Sequence, residues 1–253
     1  MTEQLLVTHE HATRIITMRR PDKKNALTHD MYLGISKAID SAQDDPAIRC
    51  LIITGTSGVF TAGNDVADFL AASSGDAEEA KIFPATVLLN ALNNNQKPLI
   101  AAVDGPAIGI GTTMMFHCDY VIASTTAMFS TPFTKLGLTP EGASSLLIPR
   151  TLGHQRAFAM LVMGRPLDGQ AAREAGFVNE VVAPGHVESE ARKIAREICR
   201  LPAEAVAISR QLLRLPPDVI AERFTIEGKL FAERMKSQEA LEAFRGFLAR
   251  KTT

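Results

Sequence analysis

Residues 98–124 read PLIAAVDGPAIGIGTTMMFHCDYVIAS, and the order of the three parts inside this stretch decides the fold. PLIAAVDG (98–105) is a short continuous apolar run, the pattern of a strand covered on both faces. GPAIGIGTTMMFHCD (105–119) is a glycine- and small-residue-rich loop that opens a short apolar helix. DYVIAS (119–124) is strand-like again. Strands alternating with helices predict an α/β architecture with substantially parallel pairing.

The same alternation continues upstream. LLVTHE and ATRIITMRR alternate like the arms of a β-hairpin. RPDKKNALT (20–28) ends in Thr28, the expected N-cap of a helix over 29–43 that brings Met31, Ile35, Ala38 and Ile39 to one face. IRCLIITG (48–55) is a further doubly covered strand. GTSGVFTAGNDVADF (55–69) is a second small-residue loop running into a helix, and another helix is expected over residues 77–95. After residue 185 the pattern turns helical. Ile220, Phe224 and Phe231 share one face and Leu241, Phe244 and Leu248 another, and Pro216-Pro217 separates two of the helices.

Composition narrows the function classes. A chain of 253 residues, 46% hydrophobic and 22% charged, can bury a large core and is neither disordered nor fibrous. Its net charge of −1 comes without a Lys/Arg-rich run, which argues against a nucleic-acid surface. No apolar stretch reaches the roughly 18–20 residues of a membrane span. MTEQLLVTHEH lacks the marks of a signal peptide and RKTT is no SKL-type address, so the expectation is a soluble, cytoplasmic protein. Cys50, Cys118 and Cys199 are odd in number and far apart, which predicts buried reduced thiols. The histidines are scattered, and His9 and His11 lack the i, i+4 spacing of a zinc helix, so no metal site is expected.

Two glycine turns carry the chemistry. GIG at 109–111 is a poor dinucleotide signature, because Met114 stands where a third glycine belongs. Helix starts leave backbone N–H groups without internal acceptors, and small residues let a ligand oxygen approach them. The expected donors are the amides of Ala62, in TAGND, and Ile110, in AIGIG. Converging on one oxygen, they would form an oxyanion hole suited to a carbonyl that becomes an enolate. KLGLTPEGASSLLIPR (135–150) then holds one charged residue between its basic ends, Glu141, amid Leu136, Leu138, Leu146 and Leu147. Two readings stand open at this point. Thr139 caps a helix, Pro140 begins it and Glu141 is an acid in its first turn; or Glu141 is a desolvated carboxylate with its pKa raised for proton transfer.

Taken together these segments resemble the crotonase (enoyl-CoA hydratase/isomerase) superfamily. VFTAGNDV and AAVDGPAIGIGTTMMFHCDYVIAS resemble its two oxyanion segments, and RPDKKNALT resembles its early coenzyme-A-binding segment. The likeness runs from about residue 5 to the C-terminal helices. It implies a spiral of ββα units over 1–195 for acyl-CoA binding and catalysis. It also implies a helical region over 196–253 for oligomerisation and completion of the coenzyme A site, in a homotrimer or dimer of trimers. The implied substrate is an acyl-CoA thioester, with coenzyme A arriving as part of the substrate and no separate cofactor. Lys24, Ala26, Gly63, Asn64, Asp65, Gly109 and Phe133 are the implied substrate-binding positions, with Lys24 the candidate for a phosphate contact. Asp65 matches the family's AGxD aspartate, although capping of the following helix is its more ordinary role.

The departures from the family pattern choose among reactions. Thr113 stands where typical hydratases carry one glutamate, and Phe133, after Pro132, where they carry the other. Neither side chain takes and returns a proton at neutral pH. TPFTKLGLTPEGASSLLIP instead resembles the peroxisomal-type Δ3,Δ2-enoyl-CoA isomerases, whose P-E-G glutamate is the acid/base group. That resemblance implies catalysis by Glu141. Two alternatives stay open: an atypical hydratase in which Glu141 activates water, and an acyl-CoA-binding paralogue without turnover. Phe69, Leu70, Phe83, Met114 and Phe133 are candidates for an acyl pocket.

Overall fold

A computed structural model describes residues 3–65 and 84–249. The strands are β1 (Leu5–Glu10), β2 (Thr13–Met18), β3 (Cys50–Thr54), β4 (Leu99–Val103), β5 (Pro106–Ile108), β6 (Tyr120–Ser124), β7 (Met128–Ser130), β8 (Leu167–Asp168) and β9 (Glu180–Val182). The helices are α1 (His29–Gln43), α2 (Pro84–Asn94), α3 (Ile110–Thr113), α4 (Ser144–Leu152), α5 (His154–Leu161), α6 (Gly169–Glu174), α7 (Val187–Arg200), α8 (Ala203–Leu213), α9 (Pro217–Met235) and α10 (Gln238–Ala249). Phe69, Leu70 and Phe83 lie outside the described residues, as do the N-terminal part of the helix expected over 77–95 and the side chain of Leu248.

The main sheet has the order β1-β2-β3-β4-β6-β9. Only the β1–β2 hairpin is antiparallel, and the other pairings are parallel. Period-two alternation divides its side chains between two cores. Ile16, Leu51, Ile53, Leu99, Ala101, Val121 and Ala123 join the larger cluster with Ile35 and Ile39 of α1 and Leu88 and Leu92 of α2. Ile15, Cys50, Ile52, Ile100, Ala102 and Ile122 face the other way, onto Val187, Ala191, Ile194 and Ala195 of α7. Burial on both faces is why these strands read as unbroken apolar runs.

A second ladder decides where the glycine turns go. Loop residues 24–27 pair with 61–65 through Ala62 N–H to Lys24 O (2.9 Å), Leu27 N–H to Gly63 O (2.8 Å) and Asp65 N–H to Leu27 O (3.1 Å). Thr61 bridges Ala107 in turn, and β5-β7-β8 completes the layer. The strand β5 lies inside the stretch expected to be loop. Gly63 has φ +86, and a Cβ there would stand 2.8 Å from Ile108 O, so only glycine lets the 61–65 and 106–109 segments lie this close.

Thr28 caps α1 as expected, its side chain accepting from Met31 N–H. The capping role expected of Thr139 is not observed. The helix begins at Ser144 rather than Pro140, its N-cap Ala143 is left-handed at φ 55, and no capping side chain comes from its own turn. Gly142, also left-handed at φ 77, precedes it, so Glu141 sits in a turn ahead of the helix. In the C-terminal region Ile220, Phe231 and Phe244 are buried, whereas Leu241 is exposed and does not join their core. The buried Arg210 of α8 pairs with Asp119 (2.7 Å) and donates to Asn95 O (2.6 Å), fastening these helices to the sheet.

Candidate active site

The two glycine turns and the Glu141 turn meet around a cavity of about 130 Å³. Its wall includes Ala62, Gly63 and Asn64 from the first turn, Gly109 and Ile110 from the second, and Glu141 from the third. Phe133, Leu136, Leu138, Phe231 and Phe244 supply the apolar side. Phe231 of α9 meets Phe133 edge to face with ring centroids 6.5 Å apart, so the C-terminal helices help to close the site. Met114 is buried in the core away from this cavity. Among the four leucines expected around Glu141, Leu136 and Leu138 are present, while Leu147 lines a separate groove.

The backbone hydrogen bonds correct one expectation. The Ala62 amide is engaged by Lys24 O at 2.9 Å and cannot serve as an oxyanion donor. Gly63 N–H donates to Thr61 Oγ1 at 3.1 Å. The next amide, Asn64, is free of a protein acceptor among the described residues, as is the amide of Ile110. The geometry gives the reason. In the parallel bridge of Asn64 with Leu27, the bonds to Leu27 use Gly63 O and Asp65 N, so the Asn64 amide points to the opposite side. Ile110 is the first residue of α3, where an amide has no intrahelical partner. Gly109 reaches this turn at φ +57, in the left-handed range that glycine adopts without strain.

Glu141 is 8% exposed, and its Oε1 has no hydrogen-bond partner among the described residues. Burial first, and the nearby charge of Glu227 second, push its carboxyl up to about 7. Its turn rests directly on Thr113, because a Cβ at Gly142 would lie 3.1 Å from Thr113 Oγ1. Behind the turn, His117 Nε2 donates to Gly142 O at 2.9 Å. Burial holds this imidazole down at about 4, so it is neutral near pH 7. Tyr32 of α1 donates from its hydroxyl to Asn64 Oδ1. Burial and then the charge of Glu141 keep that phenol well above its ordinary range.

The remaining predicted positions lie around this centre rather than in it. Lys24 is exposed, and its contribution to the ladder is its carbonyl. Ala26 is buried in the same loop, and its carbonyl accepts from Arg20 Nη1. Asp65 is joined to Arg20 at 2.6 Å, so its carboxylate ties the two loops together. Two residues escaped the sequence reading: Tyr32, which looks like any core position of α1, and Glu227, one of several acids on α9. Among the described residues no three His, Cys, Asp or Glu side chains gather as metal ligands, and no helix is long and apolar enough to cross a membrane. A larger groove of about 910 Å³ runs along α8. In its wall one carboxylate, Asp119, is shared by Arg210 at 2.7 Å and Arg214 at 3.6 Å.

Residues 8–253 match the family described as Enoyl-CoA hydratase/isomerase. Enoyl-CoA delta isomerase 2 of Rattus norvegicus is 38% identical over 205 residues, 80% of this chain; the chain spans about half, 52%, of that relative's length. A probable enoyl-CoA hydratase of Mycobacterium bovis is 31% identical over 250 residues, 98% of this chain and 96% of its own. The structure of OdaA from Pseudomonas aeruginosa superposes with a TM-score of 0.91 at 39% identity, covering 97% of this chain and 99% of that one. Since likeness in sequence and in three dimensions extends over both glycine turns, the Glu141 turn and the C-terminal helices, the chain has the crotonase fold and belongs to the enoyl-CoA hydratase/isomerase family.

Proposed function

We propose that the protein converts 3-enoyl-CoA to trans-2-enoyl-CoA, with Glu141 as its single acid/base. The observation that carries this reading is the composition of the cavity wall: among the described residues lining it, Glu141 is the one ionisable side chain. Hydration asks for an activated water and a proton delivered to the α carbon, usually the work of two groups. Moving the double bond asks only that a proton leave C2 and one return at C4. The Glu141 carboxylate takes the C2 proton, electrons shift into the thioester, and the carbonyl oxygen becomes an oxyanion. The Asn64 and Ile110 amides are the proposed donors to that oxyanion. The carboxyl then protonates C4, which leaves the C2–C3 double bond. A pKa near 7 suits both halves, since the group accepts and releases a proton at similar cost.

Lys24 and Ala26, in the loop laid against 61–65, are the proposed contacts for the coenzyme A portion, and Phe133 for the acyl chain. The proposed assembly is a homotrimer or dimer of trimers, and the exposed Leu212 and Leu213, 81% and 87% accessible at the end of α8, support an apolar contact there without fixing its stoichiometry. The reading belongs to breakdown of unsaturated acyl-CoA, where a 3-enoyl thioester must be conjugated before further processing.

A paired assay tests it: a 3-enoyl-CoA in one cuvette and a trans-2-enoyl-CoA in the other. Growth of conjugated-thioester absorbance in the first, with little loss in the second, is expected. Loss in the second with a silent first would overturn the proposal in favour of hydration.

A further inference from the structure

Glu227 is a buried carboxylate that this reaction scheme does not use. It lies on α9, 4% exposed, and its Oε1 accepts from both the backbone N–H (2.9 Å) and the hydroxyl of Ser145. The Ala143 amide also favours the ionised form of this carboxylate. These donors belong to the start of α4, whose own turn offers no capping side chain. Oε2 of Glu227, like Oε1 of Glu141, is buried without a hydrogen-bond partner among the described residues.

We propose that Glu227 is a positioning residue for Glu141: from 82 residues further along the chain than Ser145 it caps α4, locks the left-handed Gly142–Ala143 turn, and sets a second negative charge beside the acid/base. This inference rests on the reading of Glu141 given above. Two neighbouring buried carboxylates resist double ionisation, and the donors around each decide which keeps the proton. Burial raises the Glu227 carboxyl, but the Ser145 donors first, then the Ala143 amide and the charge of Arg223, one turn earlier on α9, work against that rise and favour its ionised form. Glu141 has an orphaned oxygen and receives the repulsion. The other groups against the Glu141 turn are settled. Tyr32 of α1 is held protonated and His117 neutral, while Arg234, further along α9, is turned to Gly137 O and to Glu239.

The charge and the cap separate in two variants. Glu227→Gln keeps a carbonyl acceptor for Ser145 and removes the charge, whereas Glu227→Ala removes both. The first readout is a carbon-13 carboxyl NMR titration of the free, glutamate-labelled protein, with the Glu141 signal assigned through Glu141→Gln. The Glu141 midpoint is expected to fall by about one pH unit or more in Glu227→Gln. Its melting temperature should stay near that of wild type, while Glu227→Ala also loses stability. The acid limb of kcat/KM on a 3-enoyl-CoA should move to lower pH in parallel. In wild-type protein, which needs no variant to fold, the Glu141 and Glu227 signals should each register the other's proton. Independent wild-type titrations, or an unmoved Glu141 midpoint in Glu227→Gln, would overturn the proposal. The NMR arm is read without turnover, so a protein inactive on 3-enoyl-CoA would refute the isomerase reading while leaving this one to be judged on the titration.

Discussion

Glu141 combines two properties that rarely coincide in a surface acid: it is enclosed by apolar walls, and one oxygen has no donor from the described residues. Replacing it by Gln should lower turnover on the order of 10²–10⁴-fold while thioester binding survives, as measured by kinetics alongside calorimetric titration with an acyl-CoA. The same substitution should change stability with a defined sign. The folded carboxyl holds its proton up to about 7 and the unfolded one loses it near 4.5, so the native state binds more protons across that window. The Glu141 contribution to stability is therefore lost as pH rises from 4.5 to 7. Above that range Glu141→Gln should be the more stable protein, by on the order of 1–3 kcal/mol in urea titrations at pH 8. Equal stability of the two at pH 8 would show that the carboxylate is solvated. The residues alone left Glu141 open between a first-turn acid and an acid/base, and the resemblance of its P-E-G segment chose the second; its place outside the helix was not legible. Two consecutive left-handed residues, one of them the alanine Ala143, leave little local signal.

At the scale of elements, the site depends on how closely the ladder segments approach. Gly63→Ala would set a methyl 2.8 Å from Ile108 O, between the turns that carry the Asn64 and Ile110 amides. Turnover should drop about 10²-fold, the usual effect of losing one such donor, in an assay of the folded variant. The Glu141 turn has its own brace in His117, whose folded pKa is depressed from 6.5 to about 4. The native state thus binds fewer protons than the unfolded one between those values, and stability present above pH 6.5 is lost as pH falls through 4. His117→Gln should flatten that acid-side decline in urea titrations taken between pH 6.5 and 4. The elements themselves were largely legible: α1 matches the predicted 29–43, with Thr28 as its cap. The donor assignment was not. Choosing between Ala62 and Asn64 requires knowing which side of the strand faces Leu27, and that register comes from the ladder.

For the whole molecule, the C-terminal helices serve two directions at once. Inward they contribute Phe231, Phe244 and Glu227; outward they leave Leu212 and Leu213 in solvent. Leu212→Glu with Leu213→Glu should convert a trimer or hexamer to monomer in sedimentation velocity, while a wild-type protein that already sediments as a monomer would refute the assembly proposed. Arg210→Met should loosen α8 from the sheet, at a cost of about 3 kcal/mol in thermal unfolding, because it leaves Asp119 without its closest charge partner.

The sequence by itself determined the succession β1, β2, α1, β3, α2, β4 and β6, since doubly buried strands and single-faced helices impose distinct hydrophobic periods, but not the short strands β5 and β7–β9. It also supplied two glycine turns and one isolated glutamate as parts, since those residue types are chosen locally, but not their convergence on one cavity. Only the tertiary structure decided which amides stay free, where α4 begins and which acid stands behind Glu141. Each of these depends on partners far away in the chain: Lys24 for Ala62, Leu27 for Asn64 and Glu227 for Ser145. Hydrogen-bond satisfaction is a property of the assembled fold, and no local pattern encodes it.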